Sequence, residues 1–265
     1  MDKGEIKMNK KLVSILASAV LAVQAAAMPI IANAEASATY ITDSDFLDCA
    51  VGGAVGKPLY GMGIILDGGP WLSKGSASEH YQTFYYDEEN KTNYCNMYSN
   101  SLKGTDLSGS MYMYQRDTTQ NFSQTYGYCQ FDLRTRSGRF EISYGSFSDP
   151  TSNTNYKANS LTVDTNKIVA HDGSREVTVA SIKPETWYTV KIVIDNKLQS
   201  NSISVTEKST GKVVGMLEDA AYFQPECTKV CIWCFGYLRG SADDYELSHV
   251  TIAKTDEKTN PYSVK

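Results

Sequence analysis

The chain has 265 residues, a net charge of −5, 42% hydrophobic residues and six cysteines. Its Lys and Arg residues are scattered, which excludes the clustered basic face of a nucleic-acid binder. Beyond the N-terminal region no apolar run is long enough to span a bilayer, and the length suits one large domain able to bury a core without staples.

In chain order, the positive "MNKK" from Met8 precedes the apolar "LVSILASAVLAVQAAAMPIIANA", and Ala32-Asn33-Ala34 forms an A-x-A cleavage site before Glu35. Residues 1–34 read as a secretory signal peptide, which makes the mature protein secreted and extracellular, with no membrane attachment after cleavage. Carboxylates then cluster at Asp43, Asp45 and Asp48 in "TDSDFLDC", and again near the other end at Asp243 and Asp244 in "ADDYEL". Terminal strands of antiparallel sandwiches often pair, and calcium takes six to eight oxygens. Asp43, Asp45 and Asp244 are therefore candidate ligands of a structural calcium, the alternative being turn-capping aspartates; no other cofactor is required. "GGAVGKP" at Gly52–Pro58 is not a phosphate loop, because the glycine spacing is wrong and Pro58 stands where Ser or Thr should coordinate magnesium. Residues 73–109 are polar and tyrosine-rich, and read as loops or an insertion within one domain spanning 35–254. A polar tail, 255–265, follows.

The middle of the chain reads as strands. "MYMYQR" sets Tyr112 and Tyr114 two residues apart, and "YGYCQFDLRTR" does the same for Tyr126, Tyr128, Gln130, Asp132 and Arg134. In an extended chain these five share one face, while Cys129, Phe131 and Leu133 take the core face. "RFEISYGSF" alternates Phe140, Ile142 and Tyr144 against Glu141 and Ser143. "WYTVKIVID" alternates Trp187, Thr189, Lys191 and Val193 against Tyr188, Val190, Ile192 and Ile194. "SISVTEK" and "KVVGML" flank the hairpin turn "STG", with Gly211 at its end. No helical period persists over ten residues; a turn of helix is expected near "LEDAAYF". The expected fold is all-β, an antiparallel β-sandwich or jelly roll.

"CTKVCIWCFGY" holds three of the cysteines. In an extended strand Cys231 and Cys234 lie roughly 10 Å apart at about 3.3 Å per residue and point oppositely, beyond the ~7 Å reach of a disulfide. A zinc knuckle needs a tight turn that this stretch lacks. "KVCIWCF" therefore reads as a buried core strand. Cross-strand bridges to Cys49, Cys95 or Cys129 remain open, since six cysteines allow about 15 pairings.

The run Gln130 to Lys254 resembles the concanavalin A-like lectin/glucanase superfamily, which includes laminin-G-like and carbohydrate-binding modules. The likeness rests on "QFDLRTRSGRFEISYGS", on "ETWYTVKIVIDNKLQSNSISVTEKSTGKVVG" and on the closing "SADDYELSHVTIAK". It implies a jelly roll of two antiparallel sheets, one concave, with glycans as the usual ligands.

Three functions follow as expectations. The first is non-catalytic glycan binding, in which tyrosine rings stack on sugar faces and amides and charges meet the hydroxyls; its candidates are Tyr112, Tyr114, Tyr126, Tyr128, Gln130, Asp132 and Arg134. The second is a polysaccharide-active enzyme. A retaining glucanase needs paired carboxylates about 5 Å apart, and the residues after Glu141 lack them. A lyase would draw on the same tyrosine–arginine row with His80 as imidazole. The third is a structural or adhesive protein whose tyrosines only cover neighbouring strands. His249 reads as an isolated surface or strand residue.

Overall fold

The computed structural model describes residues 38–44, 54–55, 71–74, 80–88, 91–100, 112–116, 125–146, 156–230, 232–237 and 242–264. Among these no helix occurs. The strands of the first half are β1 (Ala38–Ser44), β2 (Ala54–Val55), β3 (Trp71–Lys74), β4 (His80–Asp87), β5 (Thr92–Asn100), β6 (Tyr112–Arg116), β7 (Tyr126–Ser137) and β8 (Arg139–Ser146). Those of the second half are β9 (Tyr156–Asp164), β10 (Lys167–Asp172), β11 (Arg175–Ser181), β12 (Tyr188–Asp195), β13 (Ser200–Glu207), β14 (Lys212–Ala221), β15 (Ile232–Tyr237) and β16 (Ala242–Thr255).

They form one hydrogen-bonded path, β2-β4-β5-β16-β7-β12-β13-β14-β11-β10-β9-β8-β15-β6-β3, with β1 added beside β16. The path curls into two facing layers. A single register pair, Ala180 with Gly215, joins them between β11 and β14. Gly215 is required there: a Cβ would meet the Val179 carbonyl at 2.2 Å and Ala180 Cβ at 2.4 Å.

Period-two patterning decides which residues fill the space between the layers. From β7 come Cys129, Phe131 and Leu133; from β8, Phe140, Ile142 and Tyr144; from β12, Tyr188, Val190, Ile192 and Ile194. The layers meet through aromatic pairs. Phe131 meets Phe235 edge-on at 5.3 Å, and Phe140 stacks on Tyr245 at 3.6 Å. Such pairs contribute roughly 0.5–1.5 kcal/mol each beyond the area they bury. Polar tips reach across as well: Tyr144 Oη donates to Asn201 Oδ1 at 2.9 Å, and Tyr245 Oη donates to the Gly236 carbonyl at 2.9 Å.

The "STG" hairpin forms as expected, with Glu207 opposite Lys212 and Gly211 at φ 67°. The turn of helix expected at "LEDAAYF" is replaced by the end of β14, because Leu217 and Ala220 pair with β13; Asp219, at φ 47°, marks the irregularity. Within residues 73–109, the β4–β5 hairpin enters the sheet and gives Cys95 and Met97 to the core. In the cysteine segment, Trp233, Cys234 and Phe235 are all buried on β15. Cys95, Cys129, Cys227 and Cys234 are buried thiols; Cys231, expected not to bond to Cys234, lies outside the described residues. Residues 1–34 and Asp45 also lie outside them.

Candidate functional site

The row Tyr126–Arg134 does lie on the side of β7 opposite Phe131 and Leu133. That face is not solvated, however, which corrects the expectation of an open binding surface. Tyr128 is 4%, Gln130 6% and Asp132 5% exposed. Tyr128 packs with Val193 and Ala253 in a small second cluster, against Ala38 of β1. Tyr126 is half-buried at the far end. Tyr112 and Tyr114 do not extend this face, because β6 pairs with β15 and β3 in the other layer.

What opens the face is an irregularity in β16. One edge of this strand pairs with β5 as far as Leu247–Cys95, then with β1 starting at Val250–Ser44. The other edge pairs with β7 throughout, but with one extra residue between Ser248, opposite Asp132, and Thr251, opposite Gln130. A bulge of this kind re-aims a side chain. Here His249 takes φ 46°, a left-handed backbone rare for a residue with a side chain. Such strain is characteristic of functional positions. His249 thus joins Ser248 on the outer face instead of entering the core, and Ser248 Oγ lies 3.1 Å from its Nδ1.

Beside the bulge is a pocket of about 500 Å³, within the usual range for ligand sites of roughly 300–1,000 Å³. Asp132 is its centre. The carboxylate accepts from Thr189 Oγ1 at 2.6 Å and from Lys208 Nζ, and His249 Nδ1 stands 3.2 Å away. Burial pushes the Asp132 carboxyl up, but the hydrogen bonds from His249, Lys208 and Thr189 outweigh it and hold the group below the ordinary Asp range. Gln130, Thr206 and Thr251 complete the floor, and Val264 stands at one wall. Asp43 also reaches the pocket, accepting from Thr251 Oγ1 at 2.8 Å. Thr206 is 4% exposed, and its Oγ1 has no hydrogen-bond partner among the described residues. An orphaned buried hydroxyl of this kind calls for an explanation, and a ligand supplies one.

One step along the same face lies an aromatic–cationic cluster. Arg134 sits over the Trp187 ring at 4.7 Å and the Tyr94 ring at 5.6 Å, and ion-pairs with the fully buried Glu246. Arg136 Nη2 is 3.0 Å from the other Glu246 oxygen. Burial raises the Glu246 carboxyl, and the two guanidiniums oppose that rise. Tyr85, which is 43% exposed, stacks on Tyr94 at 5.5 Å, and Trp187 meets Tyr94 edge-on at 6.1 Å. The result is a ring-lined shelf beside the pocket.

The sequence reading found Gln130, Asp132 and Arg134 here and missed Thr189, Thr206, Lys208, His249 and Thr251. For His249 a signal exists. The apolar positions Tyr245 and Leu247 continue as Val250 and Ile252, a slip of one that marks the bulge. Of the three calcium candidates, Asp45 lies outside the described residues and the other two lie apart. Asp43 lies beside Thr251, whereas Asp244 accepts from Asn96 Nδ2, seven residues away on β16 or roughly 23 Å at about 3.3 Å per residue. Among the described residues no group of three His, Cys, Asp or Glu side chains is placed to hold a metal. His80 lies opposite Ser99, three pairs from the Thr83–Asn96–Glu246–Arg134 row and away from the pocket.

No family model matches the sequence, and no curated protein does. Solved structures that resemble the chain do so at low identity. The CBM2 module of the evolved Dit of Lactobacillus casei BL23 phage J-1 is 10% identical, with a TM-score of 0.45, over 86% of this chain and 100% of that one. The exoplasmic/lumenal domain of VIP36, in a calcium- and Man2-bound form, is 10% identical with a TM-score of 0.42 over 78% and 90%. A sialidase is 12% identical with a TM-score of 0.45, and the chain spans 73% of itself but only 22% of that protein.

Proposed function

We propose that the protein is a secreted glycan-binding protein whose ligand enters the Asp132 pocket and continues onto the Tyr85–Tyr94–Trp187 shelf. The observation that carries the proposal is the pocket itself. An ionised acceptor (Asp132), a cation (Lys208), an imidazole (His249) and an orphaned hydroxyl (Thr206) converge beside exposed aromatic rings. Sugars present this combination in reverse: hydroxyls that both donate and accept, on a ring with apolar faces. Residues 1–34 serve as the export signal in this reading, and the ligand is an extracellular polysaccharide.

The test is a glycan array followed by titration calorimetry on wild type, Lys208→Ala and Tyr85→Ala. Loss of a stacking ring should cost about 1–1.5 kcal/mol, close to a ten-fold loss of affinity, while the thermal midpoint of Tyr85→Ala stays near wild type. Wild-type protein that retains no glycan on the array or on affinity gels rules the proposal out and favours the structural or adhesive reading. One observation supports a second, enzymatic reading. His249 is held by a carboxylate on a strained bulge, as an imidazole positioned for proton transfer would be. An absorbance assay for unsaturated uronates, run on wild type and His249→Ala, tests for a lyase.

A further inference from the structure

The face that carries the pocket does not end at Gln130. It runs on through Lys191 and Ser204 toward Tyr128, and residues 256–264 meet it at Lys191 and Ser204. This segment is itself mostly exposed and brings little apolar surface to the contact. It lies on the sheet through polar bonds. Lys191 Nζ donates to the Ser263 carbonyl at 2.6 Å and to its hydroxyl oxygen at 3.0 Å. Ser204 Oγ donates to the Pro261 carbonyl. Outside the face two exposed anchors hold it, Lys258 to Asp219 and Tyr262 to Glu218. Between them Asn260 organises a turn, with its Oδ1 accepting from Tyr262 N at 2.8 Å. Val264 then reaches the pocket wall.

Two features separate this segment from ordinary core packing. Lys191 is 4% exposed, and its ammonium donates to a carbonyl and a hydroxyl of the segment. Those are the oxygen types a sugar chain offers. The ammonium also lies 5.0 Å from the centre of the Tyr128 ring, so a cation and a ring sit side by side where the segment meets the face. A segment held by exposed polar contacts opens at low free-energy cost.

We propose that residues 256–264 form a displaceable strap over a second subsite, built from Lys191 and Ser204 beside the Tyr128 ring and continuous with the Asp132 pocket. Its ligand is a linear oligosaccharide long enough to run from the pocket beneath the strap. This rests on the glycan reading of the pocket and extends it: a monosaccharide fills the pocket with the strap closed, and a longer chain displaces the strap and takes over its hydrogen bonds. The ligand binds the open state better, so the closed state lowers its apparent affinity by the fraction of time the site is open.

The experiment compares the full-length protein with the double variant Lys258→Ala/Tyr262→Ala, which removes both anchors and leaves pocket and face intact. Calorimetry uses monomers and hexamers of xylan, β-glucan and polygalacturonate. If the strap is open about one-tenth of the time, the loosened variant binds the hexamer about ten-fold more tightly and the monomer as wild type does. Lys191→Met in the loosened background then removes the hexamer's advantage without changing monomer binding, while circular dichroism confirms the fold. Equal hexamer affinity in wild type and loosened variant, with monomer still bound, overturns the strap and leaves the pocket standing. If no monomer or hexamer binds either protein, the pocket reading fails and the strap proposal falls with it.

Discussion

Replacing Asp132 should separate the role of its charge from that of its shape. In Asp132→Ala three donors lose their acceptor. Hydrogen bonds to a charged group contribute about 1.5–3 kcal/mol each, but the Lys208 and His249 side chains are 32% and 42% exposed, so water recovers most of their share. Thr189, at 7% exposed, is stranded, at a cost of about 1–3 kcal/mol. The variant should therefore lose about 2–4 kcal/mol in urea unfolding, or roughly 2–4 °C in midpoint per kcal/mol. Asp132→Asn keeps an acceptor for Thr189 and should lose about half as much. The difference between wild type and Asp132→Asn should also depend on pH. The folded carboxyl titrates below the ordinary 3.8, so the folded state binds fewer protons than the unfolded one in that range. Its contribution is complete above the unfolded value and is lost as pH falls through the folded one. The gap should thus close as the pH falls below 3.8. A gap that persists to pH 2 would show that the charge of Asp132 is not what holds the pocket together.

Phe235→Ala removes the ring that meets Phe131 across the layers, and should cost about 3–5 kcal/mol by denaturant unfolding; a loss under about 1 kcal/mol would mean the layers do not depend on that contact. Cys234→Asp buries a charge without a partner and should destabilise by several kcal/mol, whereas Cys234→Ser at near-equal volume should cost less. A thiol reagent should leave Cys95, Cys129, Cys227 and Cys234 unlabelled in native protein and label them after unfolding; rapid native labelling of these four refutes their burial. Gly215→Ala has no room for its methyl between Val179 and Ala180, and native hydrogen exchange should show the β11–β14 seam opening earlier than in wild type.

Much of the architecture was legible because period two is a local property. Phe140, Ile142 and Tyr144 of "RFEISYGSF" and Tyr188, Val190, Ile192 and Ile194 of "WYTVKIVID" enter the core as their alternation predicts, although the opposite face of β12 is buried as well. The five-residue row from Tyr126 to Arg134 shares a face for the same reason. What covers that face was not legible. Tyr128 is buried by Ala38, Val193 and Ala253, and Lys191 by Ser263, contacts made by residues far away in sequence. Nor can spacing assign a strand to a layer, so Tyr112 and Tyr114 seemed to extend a surface from which β6 is in fact separated. Lys208 and Thr206 reach the pocket through the register of β13 against β12, with Thr189 opposite Thr206, and no motif announces that pairing. The polar tail was recognised as polar, but polarity alone does not reveal that its carbonyls cap a buried lysine.

The position of β16 has a consequence for how the protein is made. The last strand in the chain lies in the middle of its layer, between β5 and β7 and alongside β1. Until Ala242–Thr255 has left the ribosome, β5 and β7 each have an open edge, β1 lacks the strand it pairs with, and Phe140 lacks the Tyr245 ring it stacks on. Closing that layer requires contacts between the two ends of the chain, the costly kind of loop closure that slows folding. A nascent chain carrying unpaired strand edges is also prone to aggregate. Ribosome-bound chains stopped before residue 242 should accordingly remain sensitive to protease, and protection should arrive in one step once the final strand is free.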